Sequence, residues 1–402
     1  MAHRAAQNTD VVVTGIGLVT SLGVGVKAHE NILTSSTKID PVIDTEILSP
    51  YAVHKLPEID WTEQIPRKGD QRQMGNWQRL GVFAAGLALD DAGLKEDADA
   101  VGSMDMIVCA GGGERDVEVD SMIVEGARET NNVDELLNEK LGTEIRPTLF
   151  LAQLSNLMAG NISIVHKVTG SSRTFMGEEG SGVSAIETAH ARIKHGQSTH
   201  CLVGGAFVAE REDVLFIFEA INELEKTPIR PFWQRKGEQG GIALGTAGAF
   251  LILESREHAE ARGAKIYAQL DNVAGDCGPR NDKALQSRID YLCESTQATN
   301  DTETLVISGA SGAREISNQE RTLLDQKFAD STVRTSSALF GHTVEAQFPL
   351  GIALAAVGLS NDEKLGKFAD ELDQDMQNPP QKAVVTGFGH RRSEGIATLS
   401  KA

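Results

Sequence analysis

Cysteine is scarce in this chain. Four cysteines occur in 402 residues, and none forms a Cys-x-x-Cys pair or has a histidine at zinc-site spacing. This pattern excludes a disulfide framework and a cysteine-rich zinc module. Cys109, Cys201 and Cys293 have apolar neighbours in the sequence, so we expect reduced thiols that serve as small core residues.

Positive charge is also in deficit. The chain carries 38 Lys and Arg against 57 Asp and Glu, a net charge of −19. Affinity for nucleic acid depends on clustered cations that release counterions from the phosphates. The balance therefore excludes a general nucleic-acid binder.

No long apolar run is present. The longest stretch without Asp, Glu, Lys or Arg covers residues 147–166 and is interrupted by polar residues and glycines. A membrane helix needs about 20 predominantly apolar residues, so no membrane insertion is expected. Residues 1–10 contain Arg4 and Asp10 but no apolar run, so we expect no secretory signal and a cytoplasmic protein.

Glycine, in contrast, is abundant, and most of the 40 glycines close short β-branched runs. Residues 11–17 form such a run, typical of a strand buried on both faces. Further strands are predicted at 106–110, 201–205, 249–253, 305–308 and 383–389. Helical patterns such as 77–92 lie between them, and the alternation predicts an α/β fold with a mainly parallel sheet.

One predicted helix, residues 180–195, has helical apolar spacing and a closing Gly196. A strand-like segment at 173–176 leads into it through the acidic, glycine-rich turn at 177–182. Side chains of this turn should therefore lie at a helix N-terminus in the centre of the sheet. The polar residues 38–75 are interpreted as a surface excursion, and the acidic residues 114–144 as outer helices.

The motifs together resemble the β-ketoacyl synthase family, and the resemblance covers nearly the whole chain. The matching segments are VVTGIGLVTSLG at 12–23, NLMAGNISI at 156–164, SGVSAI at 181–186, CLVGGA at 201–206, RPF at 230–232, ARGAKIYA at 261–268, GHT at 341–343 and GFG at 387–389. The resemblance implies a thiolase-like duplicated five-layered α/β/α/β/α fold, usually dimeric. It divides the chain into an N-terminal half, 1–250, and a C-terminal half, 251–402.

The chemistry of this family needs a cysteine at a helix N-terminus, which is acylated from acyl carrier protein, two basic residues and a lysine. Transferred to this chain, the resemblance places Glu179 at the cysteine, Gly309 at the first histidine and Ser337 at the lysine. His342 is the one retained histidine. The resemblance implies no cofactor and no metal.

The pocket wall also departs from the family. Glu345 and Phe348 stand where the family has small residues, and Phe388 corresponds to its gating phenylalanine, so these three are the expected substrate-binding residues. His390 and the two arginines after it replace small residues.

Glu179 is open to three interpretations. As a nucleophile it would form a reactive mixed anhydride with a thioester. As a structural residue it would be stabilised by the helix dipole, by about 0.3–1 kcal/mol. In the third interpretation it occupies the place of the nucleophile without its chemistry, as glutamine does in chain-length factors. His342 can be a core residue or a retained catalytic group.

From these departures we expect a homologue of β-ketoacyl-acyl-carrier-protein synthases that acts in fatty-acid biosynthesis. An analogy with paired synthases extends this expectation to very long acyl chains. The leading hypothesis is a non-condensing subunit, similar to a chain-length factor, in a heterodimer with a competent synthase. One alternative is an active 3-oxoacyl-acyl-carrier-protein synthase or malonyl-acyl-carrier-protein decarboxylase with a reduced site. Another is an acyl-chain or carrier-protein binding module. A homodimer, the chain length and the identity of the carrier stay open.

Overall fold

The computed structural model describes residues 9–35, 37–235, 240–368 and 374–402. Within these ranges the strands are β1 (Val11–Thr20), β2 (Gly23–Val24), β3 (Val53–His54), β4 (Asp105–Cys109), β5 (Ser172–Phe175), β6 (His200–Phe207), β7 (Leu244–Gly245), β8 (Ala247–Ser255), β9 (Ala268–Asp276), β10 (Thr304–Ser308), β11 (Thr332–Thr335), β12 (Lys382–Phe388) and β13 (Glu394–Ser400).

The α-helices of the same ranges are α1 (Gly25–Leu33), α2 (Lys68–Gln73), α3 (Asn76–Asp91), α4 (Ala98–Ser103), α5 (Val117–Glu129), α6 (Val133–Thr143), α7 (Leu149–Gln153), α8 (Leu157–His166), α9 (Glu179–Lys194), α10 (Glu212–Ala220), α11 (Arg256–Ala261), α12 (Asp282–Ser295), α13 (Arg314–Lys327), α14 (Ser336–Phe340) and α15 (Gln347–Ser360). None of these helices combines the length and apolar character that a bilayer crossing requires.

A large mixed sheet organises the molecule. Its main strand order is β11-β10-β12-β13-β9-β1-β8-β6-β4-β5. The pairs of β4 with β5 and β6, and of β10 with β11 and β12, are parallel, whereas the five central pairs are antiparallel. The prediction of a mainly parallel sheet was therefore wrong. One cause is local: only residues 389–393 separate β12 from β13, and so short a connection returns the chain antiparallel.

The sheet is built twice from the same plan. In the first half β1, β4, β5, β6 and β8 are ordered β5-β4-β6-β8-β1, and in the second half β9 to β13 are ordered β11-β10-β12-β13-β9. Taken by chain order, the two arrangements and their parallel and antiparallel pairings are identical. The halves meet where β1 pairs with β9. Position 250 lies inside β8, so we propose that the boundary between the halves falls between β8 and β9.

Three apolar clusters separate five layers. The central cluster packs α9 and α15 between the strands of the first half, which are the first set, and the strands of the second half, which are the second set. Ile186 and Leu354 are among its members. A second cluster joins α3 to the outer face of the first set, for example through Phe83. The third joins α12 and α13 to the outer face of the second set, for example through Leu292 and Leu323. This is the predicted α/β/α/β/α arrangement.

Local predictions are confirmed at most positions. All ten residues of β1 are buried, and a Cβ on Gly17 would clash with the carbonyl oxygen of Ala84, so α3 packs directly on this strand. The outer helices α5 and α6 lie in the acidic segment as predicted. Residues 38–75 are only partly a surface excursion, because Val53, Ile65 and Met74 are buried in the apolar clusters. Cysteines 109 and 201 are buried, 293 is half-buried and 277 is exposed.

Candidate functional site

Glu179 is the first residue of α9, one residue before the predicted start, and its side chain is buried. The chain reaches it from β5 through Gly177 and Glu178. Glu178 has φ 55° and ψ −140°, a conformation that costs a residue with a Cβ about 1–3 kcal/mol and persists where the surroundings impose it. Such strained turns concentrate at functional sites. The turn therefore points to a site at this helix N-terminus.

Two histidines bind the Glu179 carboxylate. Its Oε1 accepts a hydrogen bond from Nε2 of His342 at 2.7 Å and another from Nδ1 of His390 at 2.8 Å. The backbone N–H of His390 donates to the same oxygen at 3.0 Å. Both rings are buried, and their centroids lie 6.3 Å apart. Because a carboxylate only accepts, the bonded nitrogen of each ring carries the proton.

Backbone contacts place these two rings. The N–H of His342 donates to the carbonyl of Ala243 at 2.8 Å, and its carbonyl accepts from Gly245 at 3.0 Å. His390 follows β12, in the short connection to β13, where Gly389 donates to the carbonyl of Ser393 at 2.9 Å. The second half of the chain thus supplies both histidines to the helix of the first half.

The charges in this cluster are coupled. Burial by itself would raise the pKa of Glu179, but His390 and His342 outweigh burial and hold that pKa well below its usual range. Burial would lower the pKa of His390, yet the Glu179 charge and hydrogen bond raise it above its usual value. The charged forms of His390 and Glu179 therefore stabilise each other, and His342 is a second donor to the carboxylate.

Glu345 is a second buried carboxyl group beside this pair. Burial raises its pKa to about 7, and the negative charges of Glu179 and Glu178 act in the same direction. It lies in a 3₁₀ turn, Val344–Ala346, whose Glu345 carbonyl accepts a hydrogen bond from the Cys109 thiol at 3.3 Å. The side chain thus holds a proton at neutral pH more readily than an ordinary glutamate.

A cavity of about 1040 Å³ opens next to the cluster. Glu178, Glu345 and His390 lie in its wall, and α10 contributes the exposed apolar side chains of Phe216 and Ile217. Four arginines, at positions 115, 128, 211 and 391, line the cavity together with six acidic residues, at positions 120, 125, 178, 212, 213 and 345. Arg115 is paired with Asp120 and Arg211 with Asp213. A ligand with an apolar part matches the α10 side of this lining, and an anionic group on such a ligand would meet Arg128 or Arg391.

The other two predicted substrate-binding residues, Phe348 and Phe388, lie in apolar clusters and not in the cavity wall with Glu345. Phe348 is in the central cluster and Phe388 in the third cluster, each 1% exposed. Neither is among the described residues that line the cavity. Their role toward a substrate stays a prediction, and packing accounts for both side chains as they stand.

Gly309 and Ser337 are buried and each take part in hydrogen bonds. Gly309 donates its N–H to the Thr386 carbonyl at 3.1 Å, and a Cβ on it would lie 2.5 Å from that oxygen. Nε2 of Gln347 donates to the hydroxyls of Ser336 and Ser337, at 2.7 and 3.2 Å. Serine and glutamine side chains thus fill the region where the resemblance expects a histidine and a lysine.

Sequence reasoning missed His390 and Gln347 as members of the site. In the sequence, His390 was noted only because the family has small residues at that position. One signal was available, because His390 follows the predicted strand 383–389, whose neighbour β10 is parallel to it. Carboxyl ends of parallel strands meet at one edge of a sheet, where ligand sites concentrate.

Comparisons with known proteins agree with this architecture. The model of the β-ketoacyl synthase N-terminal domain matches residues 8–259. The chain belongs to this family. A similar curated relative, 3-oxoacyl-[acyl-carrier-protein] synthase 2 of Vibrio harveyi, is 28% identical over 266 residues, which cover 65% of this chain and 61% of that protein.

Two solved structures share the fold over 98% of this chain, each with 18% identity and 99% of its own chain covered. One is the ishigamide ketosynthase/chain length factor, with a TM-score of 0.75. The other, with a TM-score of 0.72, is AntDE:AntF, a type II polyketide synthase acyl-carrier protein in complex with its ketosynthase bound to the hexaketide. The thiolase-like fold expected from the sequence is confirmed.

Proposed function

We propose that this chain is a non-condensing subunit of a β-ketoacyl synthase pair, similar to a chain-length factor, that acts in fatty-acid biosynthesis. The observation that carries the proposal is the state of Glu179. Its carboxylate stands at the position that the resemblance assigns to the nucleophilic cysteine, and it is bound by His342 and His390. The proposal includes a long acyl chain as the molecule whose length the subunit helps to determine.

The chemistry around Glu179 supports the absence of condensation. Nε2 of His342 donates to Glu179 and is therefore not available to a thioester oxygen. Cys109, the cysteine bonded to the Glu345 carbonyl, is buried, and burial raises its pKa far above that of a reactive thiol. Neither group can take the place of the thiolate that accepts the acyl chain.

The cavity supports an acyl ligand delivered by a carrier protein. Its apolar side chains on α10 suit a hydrocarbon, and the arginines around it suit the phosphate of a carrier arm. The overall charge of −19 would repel an acidic carrier at long range. Arg115 and Arg211 are paired with aspartates of the wall, so Arg128 and Arg391 are the arginines of this lining that would offer positive charge to a carrier.

The edge strand β5 supports pairing with a second chain. It closes one end of the sheet, its first two residues are exposed, and Met176 beyond it is 65% exposed. An uncovered edge of this kind is a template for a strand of a partner. We propose that an intact synthase, which keeps the cysteine and both histidines, pairs here in preference to a second copy of this chain.

The test is co-expression with an intact β-ketoacyl synthase from the same organism, followed by native mass spectrometry. The carbonyls of Ser171 and Phe175 accept hydrogen bonds from the backbone N–H groups of Met106 and Ala110. In a parallel pair every second residue of a strand bonds to the neighbouring strand, so the N–H of Thr174 points to the free edge of the sheet. Thr174→Pro should abolish the mixed dimer because it removes this N–H. The matched control, Thr174→Val, keeps the N–H and should preserve the dimer.

Other outcomes would favour the alternatives. Carrier binding with no synthase partner would favour an acyl-chain or carrier-protein binding module, and condensation by the isolated chain would favour an active synthase. One observation favours malonyl-thioester decarboxylation as a second candidate, namely that His390 brings an imidazole to the cavity wall while its Nδ1 bonds to Glu179. Release of CO₂ from malonyl carrier protein by the isolated chain, lost in His390→Asn, would support that candidate.

A further inference from the structure

Glu179, His342 and His390 come together in a way that suits a metal ion. One ligand atom of each residue lies within 4.8 Å of the corresponding atoms of the other two, and all three residues are buried. They come from three separate parts of the chain: the start of α9, the segment after α14 and the β12–β13 connection. The arrangement is independent of the partner and of the acyl ligand proposed above.

Two polar atoms of this cluster lack a partner. Within the described part of the chain, Oε2 of Glu179 and Nδ1 of His342 are buried without a hydrogen-bond partner. A buried acceptor without a partner costs about 1–3 kcal/mol. An ion bound to Oε2 would satisfy this oxygen while Oε1 keeps the bond from the His390 backbone at 3.0 Å.

The donor set selects the class of metal. Two imidazoles and one glutamate are the ligands of zinc sites that keep a fourth position for water or substrate. Mg²⁺ and Ca²⁺ prefer all-oxygen sites, so they fit less well. Bonds of about 2.0–2.2 Å to zinc separate tetrahedral ligand atoms by roughly 3.3–3.6 Å, which lies within the 4.8 Å that encloses one ligand atom of each residue here. Zinc binding would replace the protons that His342 and His390 now donate to Oε1 of Glu179 and would release them to solvent.

The cavity gives the ion a route and an open position. His390 lies both in the cluster and in the cavity wall, together with Glu178 and Glu345. An ion can therefore reach the ligands from the cavity and keep one side open to it. We propose that Glu179, His342 and His390 form a mononuclear site for a divalent transition-metal ion, with Zn²⁺ as the best-fitting ion and water as its fourth ligand.

The first test is calorimetric titration of the metal-free full-length chain with ZnCl₂ alone. We expect one Zn²⁺ per chain with a Kd of about 1 µM or tighter. Glu179→Gln and His390→Asn should weaken binding by about 100-fold. The control variants Cys277→Ser and His195→Gln alter exposed metal-binding side chains outside the cluster and should leave the affinity unchanged.

Equal affinities of the wild-type chain and Glu179→Gln, or no binding by the wild type, would overturn the proposal. Circular dichroism establishes that each variant is folded. A second measurement needs no variant: Co²⁺ bound to the wild-type chain should give the intense visible absorption of a four-coordinate nitrogen and oxygen site. The weak spectrum of hydrated Co²⁺ would contradict the site. Pairing with a synthase is measured by native mass spectrometry and metal binding by calorimetry, so either proposal can fail while the other stands.

Discussion

Nδ1 of His390 lies 2.8 Å from Oε1 of Glu179, and this hydrogen bond connects the β12–β13 segment to the first turn of α9. The two residues are 211 positions apart in the chain, one in each half of the duplicated fold. The surroundings of the Glu179 carboxylate therefore depend on how the two halves of the fold pack against each other. Four predictions follow from this site and from the buried groups near it.

No stable acyl-enzyme should form at the turn before α9. The family depends on a thiolate there, and this chain has Glu179, whose acyl derivative would be a mixed anhydride that water cleaves. Intact-mass measurement after incubation with acylated carrier protein, or with a covalent inhibitor of condensing enzymes, should show no adduct in the peptide that contains Glu179. A general thiol reagent should label the exposed Cys277, which serves as a positive control. An adduct at Glu179 would contradict the proposed role.

Glu179→Cys should not produce a condensing enzyme. A thiol at the helix N-terminus can accept an acyl group, but Gly309 supplies no imidazole and Ser337 no ammonium for the second half-reaction. Loss of a single positioned donor already costs about 10²–10³ in rate. Acyl transfer and malonyl-dependent condensation should be assayed separately for this variant. Condensation close to that of an intact synthase would mean that Gly309 and Ser337 were assigned to the wrong positions.

Gly309→Ala should destabilise the protein by about 1–3 kcal/mol. A Cβ at this position lies 2.5 Å from the carbonyl oxygen of Thr386, and a backbone atom cannot move aside as a flexible side chain can. The matched control is Gly102→Ala, where an added Cβ meets nothing within 4 Å. Urea unfolding compares the free energies of unfolding of the two variants. Equal stability would refute the steric argument. Gly309→His should destabilise the protein more than Gly309→Ala does. The double variant Glu179→Cys with Gly309→His should therefore fold poorly.

Glu320→Gln should reduce the dependence of stability on pH. Burial raises the pKa of Glu320 from 4.5 to about 7, although the hydroxyls of Thr386 and Ser308 donate to its Oε1 and act in the opposite direction. Between pH 4.5 and 7 the folded state binds more protons at this group than the unfolded state does. Its contribution to stability therefore falls as the pH rises through this window and levels off above pH 7.

The expected loss at Glu320 is about 2 kcal/mol between pH 5 and pH 8. Urea unfolding of the wild type and of Glu320→Gln at both pH values isolates this contribution, because other titrating groups are common to both proteins. The stability difference should shift in favour of the glutamine variant as the pH rises. A difference that stays constant would show that Glu320 has an ordinary pKa in the folded state.

Local sequence patterns were sufficient for the elements that bury a continuous apolar face. The run at 11–17 predicted a strand buried on both faces, and β1 has this form because every one of its side chains is covered. The helix predicted from residue 180 begins at Glu179. Such elements depend on residues adjacent along the chain, and the ordered family motifs then indicated the five-layered fold.

The composition of the site was decided only by the tertiary structure. No spacing in the sequence places His390 beside Glu179, because the contact requires the two sets of strands to pack around α9 and α15. Phe348 and Phe388 illustrate the same limit, since sequence position does not determine whether a side chain faces a cavity or a core. Residue identity led to the prediction that groups of the family's chemistry are missing here, whereas long-range packing decided which groups surround the Glu179 carboxylate.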